Sequence, residues 1–182
     1  MTKQEWRRHL KEQRARLSPE QLQGLSYDIC RQLLSCPALQ TAACALAYLA
    51  FGREISLEPL FLACPDKIWG IPRCLPDRQL AWHRYHRGDA LAPNPWGIPE
   101  PLPTAPLLDP GLAECILVPA LGCDHFGIRL GYGQGFYDRF LPQVPGLRLA
   151  VIPDQALVPQ LPRDPWDVPM QMIVTESRIV RI

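Results

Sequence analysis

A chain of 182 residues is long enough to bury one substantial core, and 47% of this one is hydrophobic. Its 19 basic and 18 acidic side chains leave a net charge of +1, which excludes a generally basic nucleic-acid coat and a disordered chain. No apolar run approaches the roughly 18 residues of a membrane span.

The first predicted element is a helix opened by Thr2-Lys3-Gln4-Glu5, a capping box in which Thr2 caps and Glu5 reaches back. Trp6, Leu10 and Leu17 give it an apolar stripe. Lys3, Arg7, Lys11 and Arg14 fall on one face at spacings of four, four and three. Ser18-Pro19-Glu20-Gln21 starts a second helix, with Pro19 at the first helical position and Leu22, Leu25, Ile29 and Leu33 toward a core.

Residues 44–51 form a continuous apolar run, the pattern of a strand buried on both faces. A short helix is expected over 56–64, and strands over 67–72 and 79–86. Residues 93–110 hold seven of the 21 prolines and read as a long ordered loop. Further buried strands are expected at 114–118 and 147–152, with a final short one at 172–175. Helices and buried strands alternate along much of the chain, so it reads as a single α/β domain over 1–182 with a layered sheet.

The seven cysteines are odd in number and include no C-x-x-C pair. They read as small buried hydrophobes in a reduced, cytoplasmic protein, without a disulfide framework or a cysteine-rich zinc site. His83, His86 and His125 lack metal-ligand spacing and read as surface histidines, Cys123 reads as a packed thiol, and Trp82, Trp96 and Trp166 as structural.

The chemistry concentrates after the strand at 114–118, in Val118-Pro-Ala-Leu-Gly-Cys-Asp-His-Phe-Gly-Ile-Arg129-Leu-Gly-Tyr-Gly-Gln-Gly-Phe-Tyr-Asp138-Arg. Gly131, Gly133 and Gly135 alternate just ahead of a helix expected to start near Gln134 or Gly135. Such glycines free backbone N–H groups to converge, and a helix start adds donors, so the stretch suits a phosphate. Arg129 supplies charge, and Asp138 suits Mg²⁺, which takes one or two carboxylates with phosphate oxygens. No Gly-Lys-Ser/Thr follows, so this is not a Walker A loop, and the third glycine is misplaced for the dinucleotide fingerprint. By itself the pattern also fits a tight structural turn, and the basic helix face also fits a solvated surface.

The same run resembles the signature of the 5-formyltetrahydrofolate cyclo-ligase family, also called 5,10-methenyltetrahydrofolate synthetases. Lys3-x-x-x-Arg7, Glu54-Ile55, Ile71-Pro72-Arg73, Trp96-Gly97-Ile98-Pro99-Glu100-Pro101 and Ile173-Val174-Thr175-Glu176 extend the resemblance over essentially the whole chain. It implies a three-layer α/β/α sandwich, Rossmann-like, with a mostly parallel central sheet. It also implies a monomer acting on ATP and 5-formyltetrahydrofolate with Mg²⁺, without nucleic-acid or membrane partners. Carried over by position, Lys3, Arg7 and Arg129 would bind ATP phosphates. Gly131, Tyr132, Gly133, Gln134, Gly135, Phe136 and Tyr137 would form the nucleotide loop, with Tyr132 to Phe136 also facing the folate. Asp138 would help hold Mg²⁺, Glu54 would bond the pterin, and Leu49 and Trp96 would line the pterin or benzoyl region. Arg129 and Asp138 would be the catalytic pair.

Three departures stand out. Gln134 replaces a common Gly or Lys, Phe136 replaces a common Tyr, and Gln171 stands where an acidic metal neighbour is often found. A non-catalytic folate- or nucleotide-binding relative and an ATP-dependent enzyme on another carbonyl substrate are the alternative readings, with RNA binding by the basic helix a remote one.

Overall fold

Two reciprocal capping boxes set the first helices in the computed structural model, which describes residues 1–182. Thr2 and Glu5 cap α1 (Lys3–Ala15), and Ser18 and Gln21 cap α2 (Pro19–Ser35), as their sequences predict. A short α3 (Pro37–Thr41) follows, with Pro37 at its first turn. The chain then lays down β1 (Cys44–Leu46), α4 (Glu58–Ala63), β2 (Ile68–Cys74), β3 (Leu80–Tyr85), β4 (Leu91–Pro93) and β5 (Pro99–Pro101). Next come β6 (Cys115–Pro119), β7 (Gly122–Asp124), β8 (Arg129–Leu130), α5 (Phe136–Phe140), β9 (Leu147–Val151), β10 (Leu157–Val158), β11 (Met172–Val174) and β12 (Ile179–Arg181). No helix is long and apolar enough to cross a membrane.

The central sheet has seven strands in the order β12-β11-β9-β6-β1-β2-β3. The four inner pairings are parallel, and only the two edge pairings are antiparallel. Both faces are covered, and alternate residues of each strand enter opposite cores. On β6, Ile116 and Val118 face one side while Cys115 and Leu117 face the other. On β9, Ala150 divides from Leu149 and Val151 in the same way. One core is closed by α2, α3 and α4, through Ile29, Leu33, Leu39 and Leu60. The other is closed by α1 and α5, through Leu10 and Phe140, and by a small sheet in the order β10-β7-β8. These layers form the α/β/α sandwich.

In its secondary structure the sequence reading differs from the fold at four places. The apolar run 44–51 is a strand only to Leu46, although Ala47 N still donates to Gly70 O at 2.8 Å. Beyond that bond β1 leaves β2, and Tyr48 and Leu49 are apolar because they wall a cavity. The proline-rich stretch expected as loop contains β5, which pairs with β4 as an antiparallel hairpin. The strand at 172–174 is not the last, because β12 returns against it. The three-stranded sheet was unforeseen, since its strands of two or three residues are too short to show a period.

His83 is also not a surface histidine. It is buried and its Nδ1 lies 2.9 Å from Ala105 O, because β3 carries it into the sheet. Cys123 is fully buried, with its thiol pushed up to about 12 by burial, as a packed thiol should be.

Candidate functional site

From β1 the chain winds one way through β2 and β3, and from β6 it winds the other way through β9, β11 and β12. Adjacent strands β1 and β6 therefore flank the point where the strand order reverses. In open α/β sheets ligands bind beyond the carboxyl ends of the strands at such a point. A cavity of about 780 Å³ lies there, lined by Tyr48 and Leu49 after β1 and by Pro119 at the end of β6. Its volume suits small-molecule ligands. Lys3, Arg7, Leu49, Glu54, Trp96, Arg129, the run Gly131 to Tyr137, and Asp138 all line it.

The basic face of α1 turns onto the glycine loop and is not a solvated surface. Arg7 Nε donates to Gly131 O at 3.0 Å, and Lys11 Nζ lies 5.3 Å over the Tyr132 ring. Arg14 is buried, donating to Ala120 O at 2.7 Å, Leu121 O at 3.2 Å and the Tyr132 hydroxyl at 3.3 Å. The glycines allow guanidinium groups to approach. A Cβ at Gly131 would stand 2.6 Å from Arg129 Nη1. At Gly133, where φ is +99°, a Cβ would stand 3.4 Å from Arg7 Cζ. Helix α5 runs only five residues from Phe136, so few aligned peptide dipoles stand behind the loop. Positive charge at this wall comes chiefly from side chains, including Arg139, which the sequence reading did not nominate.

Arg129 is nearly buried, and its Nη2 donates to Asp138 Oδ1 at 2.9 Å. Its Nη1 donates to Pro119 O at 3.3 Å, and its guanidinium lies 5.5 Å over the Tyr137 ring. Arg129 Nε and the Tyr137 hydroxyl are buried without a protein partner, so the cavity wall holds polar atoms that a ligand can satisfy. Lys3 is not free either. Its Nζ contacts Asp164 Oδ2 at 2.7 Å and Asp167 Oδ1 at 2.8 Å. Burial alone would lower the Lys3 ammonium, but the two carboxylates together outweigh it and hold it above its ordinary value.

A second part of the wall is built around Trp96 and two carboxylates, Glu54 and Glu100. Asn94 Oδ1 accepts from Trp96 N at 2.9 Å and Ile98 N at 3.0 Å, which fixes the β4–β5 turn. Glu100 is buried, and its Oε1 accepts from Cys74 N at 2.9 Å and Asn94 Nδ2 at 2.8 Å. The Trp96 ring meets Phe136 edge-on at 6.4 Å, so the proline-rich hairpin reaches across to the glycine loop. Glu54 Oε2 accepts from Phe51 N at 3.0 Å. Burial raises the Glu54 carboxyl, opposed by that N–H and by the Arg14 charge. Burial, together with Glu54, pushes the Tyr132 hydroxyl up to about 12.

Gln171 does not belong to the cavity. Its Oε1 accepts from Arg148 N at 3.1 Å, at the start of β9. The C-terminal carboxylates that do reach the cavity are Asp164 and Asp167, seven and four residues earlier. Trp166 between them is exposed on the cavity wall and is not a packing residue. The sequence reading missed these three. The available signal was their clustering in one short turn, but nothing local said which cation they would meet. Arg78 also lines the cavity, from a turn in which it and Asp77 both have φ of 60°.

Comparison with known proteins bears on the family and the fold. The model of the 5-formyltetrahydrofolate cyclo-ligase family matches residues 1–176. The chain is 28% identical to the 5-formyltetrahydrofolate cyclo-ligase of Escherichia coli K12, over 93% of this chain and 98% of the relative. It is 41% identical to that of Mycolicibacterium smegmatis, over 69% of this chain and 63% of the relative. The solution structure of Aquifex aeolicus 5,10-methenyltetrahydrofolate synthetase superposes with a TM-score of 0.87 at 33% identity, covering 100% of this chain and 93% of that one.

Proposed function

The chain belongs to the 5-formyltetrahydrofolate cyclo-ligase family, and on that footing we propose that it closes 5-formyltetrahydrofolate to 5,10-methenyltetrahydrofolate with ATP. The observation that carries this reading is the meeting of Lys3, Arg7, Arg129 and the glycine loop with Glu54 and Trp96 in one cavity. One wall suits phosphates, and the other suits an aromatic ring with hydrogen-bonding edges.

In this reaction the formyl oxygen attacks the γ-phosphorus of ATP and ADP departs. The phosphorylated oxygen is then a good leaving group. N10 attacks the formyl carbon and loses its proton, the C–O bond breaks and inorganic phosphate leaves. Catalysis of this kind is mostly positioning and charge neutralisation. Arg129, Lys3 and Arg7 would take phosphate oxygens, with Arg129 held in place by Asp138 and Pro119. Glu54 would accept from the pterin amino and N3–H edge, and Trp96 and Leu49 would hold the ring system. Tyr132 to Phe136 would stand between the two substrates.

The donors fit Mg²⁺. Asp138 has one oxygen on Arg129, while Oδ2 takes no protein donor and its cavity-lining side chain is 26% exposed. A hard carboxylate beside phosphate-binding cations matches an ion that takes one or two carboxylates and fills its shell with phosphate and water oxygens. When bound, Mg²⁺ would offset phosphate charge.

We read the protein as a cytoplasmic monomer in which one domain carries the whole site, with small-molecule partners only. The test is absorbance near the methenyltetrahydrofolate band, with purified protein, 5-formyltetrahydrofolate and Mg²⁺, with and without ATP. An ATP-dependent rise is expected. No rise from folded protein beside a working control enzyme overturns the reading.

A further inference from the structure

Trp166, in the turn Asp164-Pro165-Trp166-Asp167, lines the cavity and has no part in the reaction proposed above. The turn is clamped. Asp167 N donates to Asp164 O at 3.1 Å, and Asp164 N donates to Asp167 Oδ2 at 2.7 Å. Lys3 Nζ binds both carboxylates from α1. Pro165 fixes the second turn position, so the backbone that carries Trp166 is over-determined.

The side chain is not. Trp166 is 66% exposed, against 3% for Trp69 and 2% for Trp82. A lone exposed apolar residue says little. This indole, however, stands on a cavity wall, on a rigid turn, one residue from a carboxylate that touches Lys3. On the other wall, Trp96 is already engaged with Phe136, whereas Trp166 has no aromatic neighbour.

A nucleoside triphosphate with its phosphates on Lys3, Arg7 and the glycine loop leaves its base to another part of the same cavity, and the turn that carries Trp166 is held directly against Lys3. We infer that Trp166 is the platform on which that base stacks. The inference rests on the ATP reading of the wall. Every base has a π-face, so such a platform selects for a base without choosing among bases. Lys3, through Asp164 and Asp167, couples the platform to the phosphate subsite. A nucleotide would therefore meet an indole whose position is set before it arrives.

The test is calorimetric titration of ATP, inorganic tripolyphosphate and 5-formyltetrahydrofolate, each with Mg²⁺, into wild type, Trp166→Ala and Trp166→Phe. Trp166→Ala should weaken ATP roughly 5- to 100-fold, the range of one lost base–aromatic stack. Trp166→Phe should stay close to wild type, and tripolyphosphate and folate should bind all three proteins alike. Equal weakening of ATP and tripolyphosphate would overturn the inference, because Trp166 would then merely support the clamp. Weakened folate with unchanged ATP would overturn it in favour of a folate contact. Unchanged ATP binding to Trp166→Ala, with wild type binding ATP, defeats this inference alone. A wild type that binds no ATP defeats the nucleotide reading together with it.

Discussion

On the cationic wall, Lys3 meets Asp167 across 164 residues of sequence and Arg7 meets Gly131 across 124. On the aromatic wall, Asn94 reaches Trp96, Ile98 and Glu100 over two to six residues, and Glu54 reaches Phe51 over three. The first wall is assembled by the fold, and its donors rest on carboxylates and a carbonyl that an anion can replace. The second combines these short-range bonds with the longer Cys74–Glu100 and Trp96–Phe136 contacts, and its polar groups are already paired. On the proposed function, an incoming phosphate would compete with internal partners, while a folate ring would enter a surface already set.

The largest expected effect tests whether the cationic wall is the reactive one. Arg129→Met removes the nearly buried guanidinium, and turnover should fall about 10²- to 10³-fold, the cost of losing one preorganised donor to developing charge. It also leaves Asp138 without its cation, so a thermal melt should show lower stability. Turnover within a few-fold of wild type would break the comparison outright.

Asp138→Asn is gentler on the fold, because an amide oxygen can still accept from Arg129. Turnover should fall roughly 100-fold with the melting temperature nearly unchanged, and half-maximal rate should need more Mg²⁺. Near-normal activity at low Mg²⁺ would remove Asp138 from the metal.

Lys3→Ala should raise the KM for ATP by about tenfold, in the range of a charged hydrogen bond, and leave the KM for folate unmoved. If the folate KM moves instead, the two walls have been assigned the wrong way round.

Glu54→Gln sharpens the other side. Its folded carboxyl is raised from the ordinary 4.5, so between that value and the raised one the native state binds more protons than the unfolded state. Wild-type stability therefore falls as pH rises through that window, by the share due to Glu54. The Gln variant lacks this loss, and its melting temperature should gain on wild type as pH rises through that window. A constant difference across pH would show that burial does not govern this carboxyl. At neutral pH the variant should raise the KM for folate several-fold while sparing ATP.

The sequence was most informative where local pattern meets a long motif. Both capping boxes, the buried strands expected at 114–118 and 147–152, and the glycine run after Arg129 could be read directly, because a cap, a short continuous apolar run and a loop-opening glycine are local devices. The face shared by Lys3, Arg7, Lys11 and Arg14 was equally plain, since helical spacing fixes it. What that face touches was not. Spacing cannot distinguish a solvated stripe from one docked on a loop some 120 residues away.

By itself the sequence determined the α/β class and the family, since the first follows from alternating helices and buried strands and the second from a long contiguous motif; it also named part of the cavity lining, Lys3, Arg7, Leu49, Glu54, Trp96, Arg129 and the run to Asp138. Only the tertiary structure decided which charges pair. It placed Gln171 at the start of β9 rather than at the site, gave Lys3 to Asp164 and Asp167, and set Trp166 on the cavity wall. It also built β7, β8 and β10 into a second sheet from strands too short to carry a period. The physical reason is the same in each case. A long-range contact is chosen by where the topology brings two segments together, and its free energy depends on burial and partners that no local window contains.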